Sequence, residues 1–252
     1  MAAIHECTVP GVGPGYAAVL IDIVDSRRHG DRAQLQAIVA AAAAEVNRHI
    51  IALDPLTATV GDELQATYAD ALLAIRGAAE LRLELTGVVE IRAGIGWGDI
   101  VMHDPDRTPF GQDGPAWWAA RAALDDVASS TARSGYAARL GIGFADTPTP
   151  NTPTPNTGTR PGSRSSADPL PPPAPFSIDA AVVLRSHLAL LDRALATVDP
   201  TEARIVLGDL HGRSNEELAA ELDLGPSAVS QRRGRNHLRE LVAALRVIGT
   251  GP

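Results

Sequence analysis

The sequence predicts an α+β protein in two folded parts: a strand-and-helix domain over 1–145 and an all-helical unit over 176–252. Three observations carry this reading. Strand-type and helix-type periodicities alternate up to residue 145. Residues 146–175, DTPTPNTPTPNTGTRPGSRSSADPLPPPAP, are Pro, Thr, Ser and Gly with almost nothing to bury, which predicts a disordered or semi-extended linker. Beyond that linker every apolar pattern has helical spacing.

The stretch VLIDIVDSR (19–27) organises the first part. Ala17–Val24 reads as a strand, yet it carries Asp22 in its middle and Asp25 at its end. A buried carboxylate costs several kcal/mol unless it is paired or protonated. Asp25 or Ser26 suits the cap of the next helix, whereas Asp22 sits too early for that. Asp22 is therefore a metal- or phosphate-site candidate. Helical spacing follows over Asp31–Ile50, with Leu35, Ile38, Val39, Ala42 and Val46 on one face. Extended runs at Leu56–Val60 and Leu64–Tyr68 flank Gly61-Asp62, a hairpin signal. Asp70 caps a helix over Ala71–Leu85, Val88–Gly94 alternates as a strand that continues through Ile95–Val101, and Gly114–Val127 is a further helix. Strand–helix–strand–strand–helix–strand is the ferredoxin-like order, which predicts helices on one face of an antiparallel sheet.

Composition narrows the function classes. The 252 residues are 45% apolar but only 4% aromatic, so aliphatic and Ala packing fills the core. All 22 basic residues are Arg, the bias of a GC-rich bacterial genome. One cysteine, Cys7, excludes an internal disulfide and suits a reducing cytoplasm; with His5 it supplies too few ligands for a metal site. The first residues lack the pattern of a signal peptide, and the longest apolar run, Ala37–Ala44, is too short for a membrane span, which predicts a soluble cytoplasmic protein. A net charge of −8 argues against nucleic acid binding across the whole surface but leaves room for one basic face.

The motifs IDIVDS, TVGDELQATYAD, IRAGIGWGDI and DGPAWWAARAAL, in that order over about 17–125, resemble the palm domain of class III nucleotidyl cyclases. They resemble the SatD family more closely still. The cyclase resemblance implies that Asp22 and Asp62 hold Mg²⁺ or Mn²⁺ on a nucleotide, with Ile23 lending a backbone carbonyl and the 24–29 turn its N–H groups. Small hard cations favour such carboxylates together with substrate phosphates. Arg121 falls at the position of the transition-state arginine. Two positions depart from the pattern: Ala58 replaces the base-reading Lys and Trp117 the ribose-orienting Asn. The resemblance thus implies a site of Asp22, Ile23, Asp25, Asp62, Trp117 and Arg121 that binds a phosphate-bearing ligand with negligible cyclase turnover. It also implies a homodimer with Arg121 of one chain facing Asp22 and Asp62 of the other. Of the tryptophans, Trp117 and Trp118 divide between core packing and base stacking, and Trp97 either packs or lines a pocket.

In the second part, Ser177–Thr197 and Thr201–Leu210 read as helices, the latter opening at Asp199-Pro200. Ser214 with Glu217 forms a capping box before Asn215–Leu222, Gly225 breaks the chain, and Ser227–Ile248 runs on as one long helix. SNEELAAELDLGPSAVSQRRGR resembles the helix-turn-helix of sigma-region-four and LuxR-type regulators. That resemblance implies Ser227, Ala228, Ser230 and Gln231 on base edges and Arg232, Arg233 and Arg235 on phosphates or guanine. Together these readings predict a cytoplasmic, ligand-sensing DNA-binding transcriptional regulator. The alternatives are a metal-dependent nucleotide-processing enzyme with an accessory helical domain, and an adaptor that binds another protein.

Overall fold

A computed structural model describes residues 8–9, 12–26, 30–59, 62–104, 111–134, 137–145, 180–235 and 237–249. The linker at 146–175, His5, Cys7, Gly61 and residues 27–29 of the first turn lie outside them. Four segments form two small ribbons: β1 (Thr8–Val9) with β2 (Val12–Pro14), and β7 (Val101–Asp104) with β8 (Gly111–Asp113). The main sheet has β3 (Tyr16–Ile23) at its centre, in the order β4-β5-β3-β6-β9. β4 (Asp54–Ala58), β5 (Glu63–Tyr68), β3 and β6 (Ile91–Gly98) pair antiparallel, and β9 (Leu140–Phe144) joins β6 in parallel. The sheet is therefore mixed rather than wholly antiparallel. A parallel neighbour needs a crossover, and α3 (Pro115–Ser134) supplies it.

Alternation along β3 divides the core. Ala17, Val19, Ile21 and Ile23 face α1 (Arg32–His49) and α2 (Ala71–Glu84), whereas Ala18 and Leu20 face α3. Asp31, not Asp25 or Ser26, caps α1 by accepting the Gln34 N–H, and Asp70 caps α2 as its position predicts. The expectation that all helices share one face fails at α3, and glycine explains why. A Cβ at Gly94 would lie 2.2 Å from the Ala120 carbonyl oxygen, and one at Gly96 only 2.0 Å from that of Ala116. Gly141 and Gly143 of β9 continue this bare strip. The alanine side of α3 (Ala116, Ala119, Ala120, Ala123) settles directly onto it. Trp97 points the other way, fully buried on the α1/α2 side, where it packs in the core.

The helical unit comprises α4 (Ala180–Leu195), α5 (Pro200–Leu210), α6 (Asn215–Leu222), α7 (Pro226–Arg235) and α8 (Leu238–Gly249). Both Asp199–Glu202 and Ser214–Glu217 form capping boxes. The single helix expected over Ser227–Ile248 is two helices, because His237 adopts a left-handed φ of 55° between α7 and α8.

These helices do not stand apart from the sheet. α4 lies against β9, α5 and α8 pack on α2, and one apolar cluster runs from β3 through α2 to Leu245 and Ile248. Polar links cross the same boundary. Arg82 of α2 pairs with Asp192 of α4, which is 1% exposed and also accepts the Arg139 N–H at 3.0 Å. Arg204 of α5 reaches Glu84 of α2 at 2.8 Å. Among the described residues, no helix is long and apolar enough to cross a membrane.

Candidate functional site

The register of the sheet gathers charge at one end of its α3 face. Asp22 lies opposite Glu63 on one neighbour and Arg92 on the other. The three therefore form one cross-strand row. Arg92 pairs with Asp22 at 3.3 Å, and Arg121 of α3 reaches Glu63 at 2.6 Å. Asp62 accepts from Ser26 Oγ at 2.5 Å and from Arg32 at 2.9 Å. Three carboxylates and three arginines thus alternate around the end of β3.

Asp22 is not buried like the rest of its strand: its side chain is 41% exposed. It sits at the far end of β3, beyond the apolar patch that α3 covers at Ala18 and Leu20. Partial burial raises its pKa above the ordinary carboxylate value, Arg92 opposes this, and the charges of Glu63 and Asp62 add to the rise. Asp22 therefore feels the other two acids through space, and it has the cationic partner that a strand carboxylate requires.

Trp117 lies one helical turn before Arg121, on the same side of α3. It packs beside Ala18 and Leu20, and its indole N–H is buried without a hydrogen-bond partner. The Arg92 Nε is likewise buried and unpaired. Trp118 turns outward, 63% exposed, and donates to Asp113 at 2.9 Å. Ile23 points its side chain into the α1/α2 core, leaving only its backbone for a ligand. Asp25, exposed and left-handed at φ 53°, lines a cavity of about 430 Å³ with Arg82, Val88, Arg139 and Leu195. Ala58 is exposed on the edge strand β4.

Sequence reasoning locates Asp22, Asp62, Trp117 and Arg121 but misses Glu63, Arg32, Arg92 and Ser26. Glu63 was detectable, because a strand pairing that faces Asp22 with the residue after Asp62 brings a third carboxylate into the row.

In the helical unit α6 and α7 are joined by Asp223, left-handed at φ 53°, Leu224 and Gly225. Leu218, Ala219 and Val229 form the buried contact between them. Ser227 and Gln231 are exposed on α7, and Ala228 and Ser230 are half-buried. Arg232 approaches Asp199 at 3.5 Å, a loose and exposed pair. Arg233 is different: it forks onto Asp209 of α5 and contacts Asn215, so it ties α7 to its neighbours. The side chain of Arg235 lies outside the described residues.

The fold and the charged row define a mixed α+β protein with an arginine–carboxylate cluster at one end of its sheet and a docked helical unit. Residues 16–142 match the model of the SatD family, and the chain belongs to that family. No curated protein matches it.

Proposed function

We propose that the chain is a DNA-binding transcriptional regulator. In this reading its strand-and-helix domain senses a nucleotide or another phosphate-bearing ligand together with Mg²⁺ or Mn²⁺. The observation that carries the proposal is the α6–turn–α7 pair. Two short helices meet through Leu218 and Val229, and the second leaves Ser227 and Gln231 exposed near its start. A helix-turn-helix presents the N-terminal residues of its second helix to base edges in this way. Arg232 leaves its loose pair with Asp199 for a phosphate, and Arg233 holds the scaffold.

The charged row supports the ligand half of the proposal. The strand–helix–strand–strand–helix–strand order of β3, α1, β4, β5, α2 and β6 is in keeping with a ferredoxin-like palm. Asp22, Asp62 and Glu63 are hard oxygen donors, the set that Mg²⁺ prefers. When bound, such an ion supplies charge neutralisation at phosphate oxygens. Arg32, Arg92 and Arg121, now on those carboxylates, then turn to the phosphates, and Trp117 and Arg92 already carry unpaired buried N–H groups.

The test is retention of duplex DNA at low salt by the full-length protein and by Ser227→Glu. That variant places a negative charge where α7 meets the DNA backbone. Wild type is retained and Ser227→Glu is not, at unchanged circular dichroism; equal behaviour of the two removes the proposal.

A second reading, metal-dependent nucleotide processing, is favoured by Arg121 lying on the same cluster as Asp22 and Asp62. Ala58 and Trp117 leave the ribose and base without their polar readers, and misplacement costs orders of magnitude in rate. ATP or GTP with Mg²⁺ or Mn²⁺, followed by chromatography for a cyclic product, decides it. Turnover that disappears in Asp62→Asn makes the enzyme reading the correct one.

A further inference from the structure

A second cluster of ligand-type side chains lies where the helical unit docks. Glu45 and His49 are four residues apart on α1, so they share one face of the helix. His211, at the C-cap of α5, comes up against them from the helical unit. The His49 and His211 rings stack with centroids 3.5 Å apart and planes within 7°. Glu45, His49 and His211 each offer a ligand atom, and the three atoms lie within 4.8 Å of one another.

We propose that Glu45, His49 and His211 form a binding site for a divalent transition metal, Zn²⁺ by donor type, that ties α1 to α5. Two imidazoles and a carboxylate are the three-ligand set of an open Zn²⁺ site, with one position left for water or another group. Glu80 supplies what such a site needs behind its first ligands. It is fully buried on α2, approaches His211 Nε2 at 3.1 Å and accepts from Arg76 Nε at 2.7 Å. A carboxylate on the second nitrogen fixes the tautomer and aim of a ligating histidine. With Nε2 held there, His211 keeps Nδ1 for the metal. Glu45 and His49 are partly exposed, which leaves an entry path from solvent.

Two adjustments accompany binding. Parallel stacked rings aim their in-plane lone pairs side by side, so one imidazole turns out of the stack. Arg48, 70% exposed, releases its hold on Glu45, an exchange that costs little at the surface. The site spans the palm-side helix α1 and the helical unit, so an ion held there clamps the two together. This is separate from the charged row at Asp22 and does not depend on any activity of the chain.

The test uses full-length protein stripped with a chelator and titrated with Zn²⁺ alone against a chromophoric competitor. His49→Gln, His211→Gln and Glu45→Gln are measured beside wild type, with circular dichroism to verify folding. Wild type takes one tightly held ion that each variant weakens at least ~10-fold, as loss of a metal ligand or its partner typically does. Zn²⁺ also raises the melting temperature of wild type and not of the His variants. Should His211→Gln misfold, Glu45→Gln and His49→Gln, both on the partly exposed face of α1, still decide. Absence of binding in wild type, or equal affinity in those two variants, overturns the proposal.

Discussion

Arg92 holds Asp22 across the sheet at 3.3 Å while its own Nε stays buried and unpaired. Charged residues placed in that manner give opposite pH signatures at different sites. The pKa of Asp22 is raised, first by burial and then by Glu63 and Asp62 against Arg92. Its ionised form is therefore costly to fold. That cost is absent below the ordinary aspartate value and appears as pH rises through the folded pKa. Asp22→Asn should accordingly raise the melting temperature more at neutral pH than at about pH 3. A uniform change at both pH values would show that Asp22 contributes through packing rather than charge. Asp62→Asn, nearly isosteric, should abolish metal-dependent nucleotide binding in calorimetry and leave the fold intact, because its pairs with Arg32 and Ser26 are partly exposed. Asp22 and Asp62 were legible because carboxylates on a strand and on a hairpin are out of place. Glu63 was within reach once the pairing of its strand with Asp22 is drawn, but Arg32 and Arg92 were not legible, because an outward charge on a strand or helix looks solvated until the register is known.

At the scale of elements, the glycine strip decides where α3 lies. Gly96→Ala would drive a Cβ to 2.0 Å from a backbone carbonyl, so the helix must lift from the sheet. We expect a loss of about 1–3 kcal/mol or more in urea unfolding, the range for overpacking a tight core. The α4–α2 contact rests on a buried ion pair. Asp192→Ala takes the carboxylate from the half-buried Arg82 and leaves it only the Asp192 carbonyl, and removing one side of such a pair costs about 3–5 kcal/mol. Glu221 has the acid-side signature. Burial acts to raise its pKa, but hydrogen bonds from Arg213 and Arg204 outweigh that and hold the carboxyl below its ordinary value. Its contribution is present above the ordinary glutamate value and is lost as pH falls through the lower folded one. Glu221→Gln should therefore flatten acid melting of the helical unit, followed by circular dichroism. Most helices were readable from spacing and caps. β9 was not, because LGIGF is short and glycine-rich, and its pairing with β6 is visible only in three dimensions. The break at His237 was missed because that residue type gives little warning of a left-handed conformation.

At the scale of the whole molecule, a proline-rich stretch in the sequence reads as a separator, yet the helices beyond it share an apolar cluster with the sheet. Partners such as Arg82 and Asp192, 110 residues apart, leave no local signal. The docking places α2 between the charged row's sheet and the helices proposed to read DNA, and α7 packs chiefly on α5, α6 and α8. A homodimer fits a two-fold operator, and light scattering at micromolar concentration should report twice the chain mass. The central claim is that α7 contacts DNA, and a salt series of duplex binding by fluorescence anisotropy tests it most directly. Wild type should lose affinity linearly in log–log form, by a slope of about 0.9 per phosphate contacted. Arg232→Ala should flatten that slope by about one contact, while Gln231→Ala should relax sequence preference and leave the slope alone. Failure of the wild-type protein to bind any duplex at low salt, or slopes identical in wild type and Arg232→Ala, would contradict it.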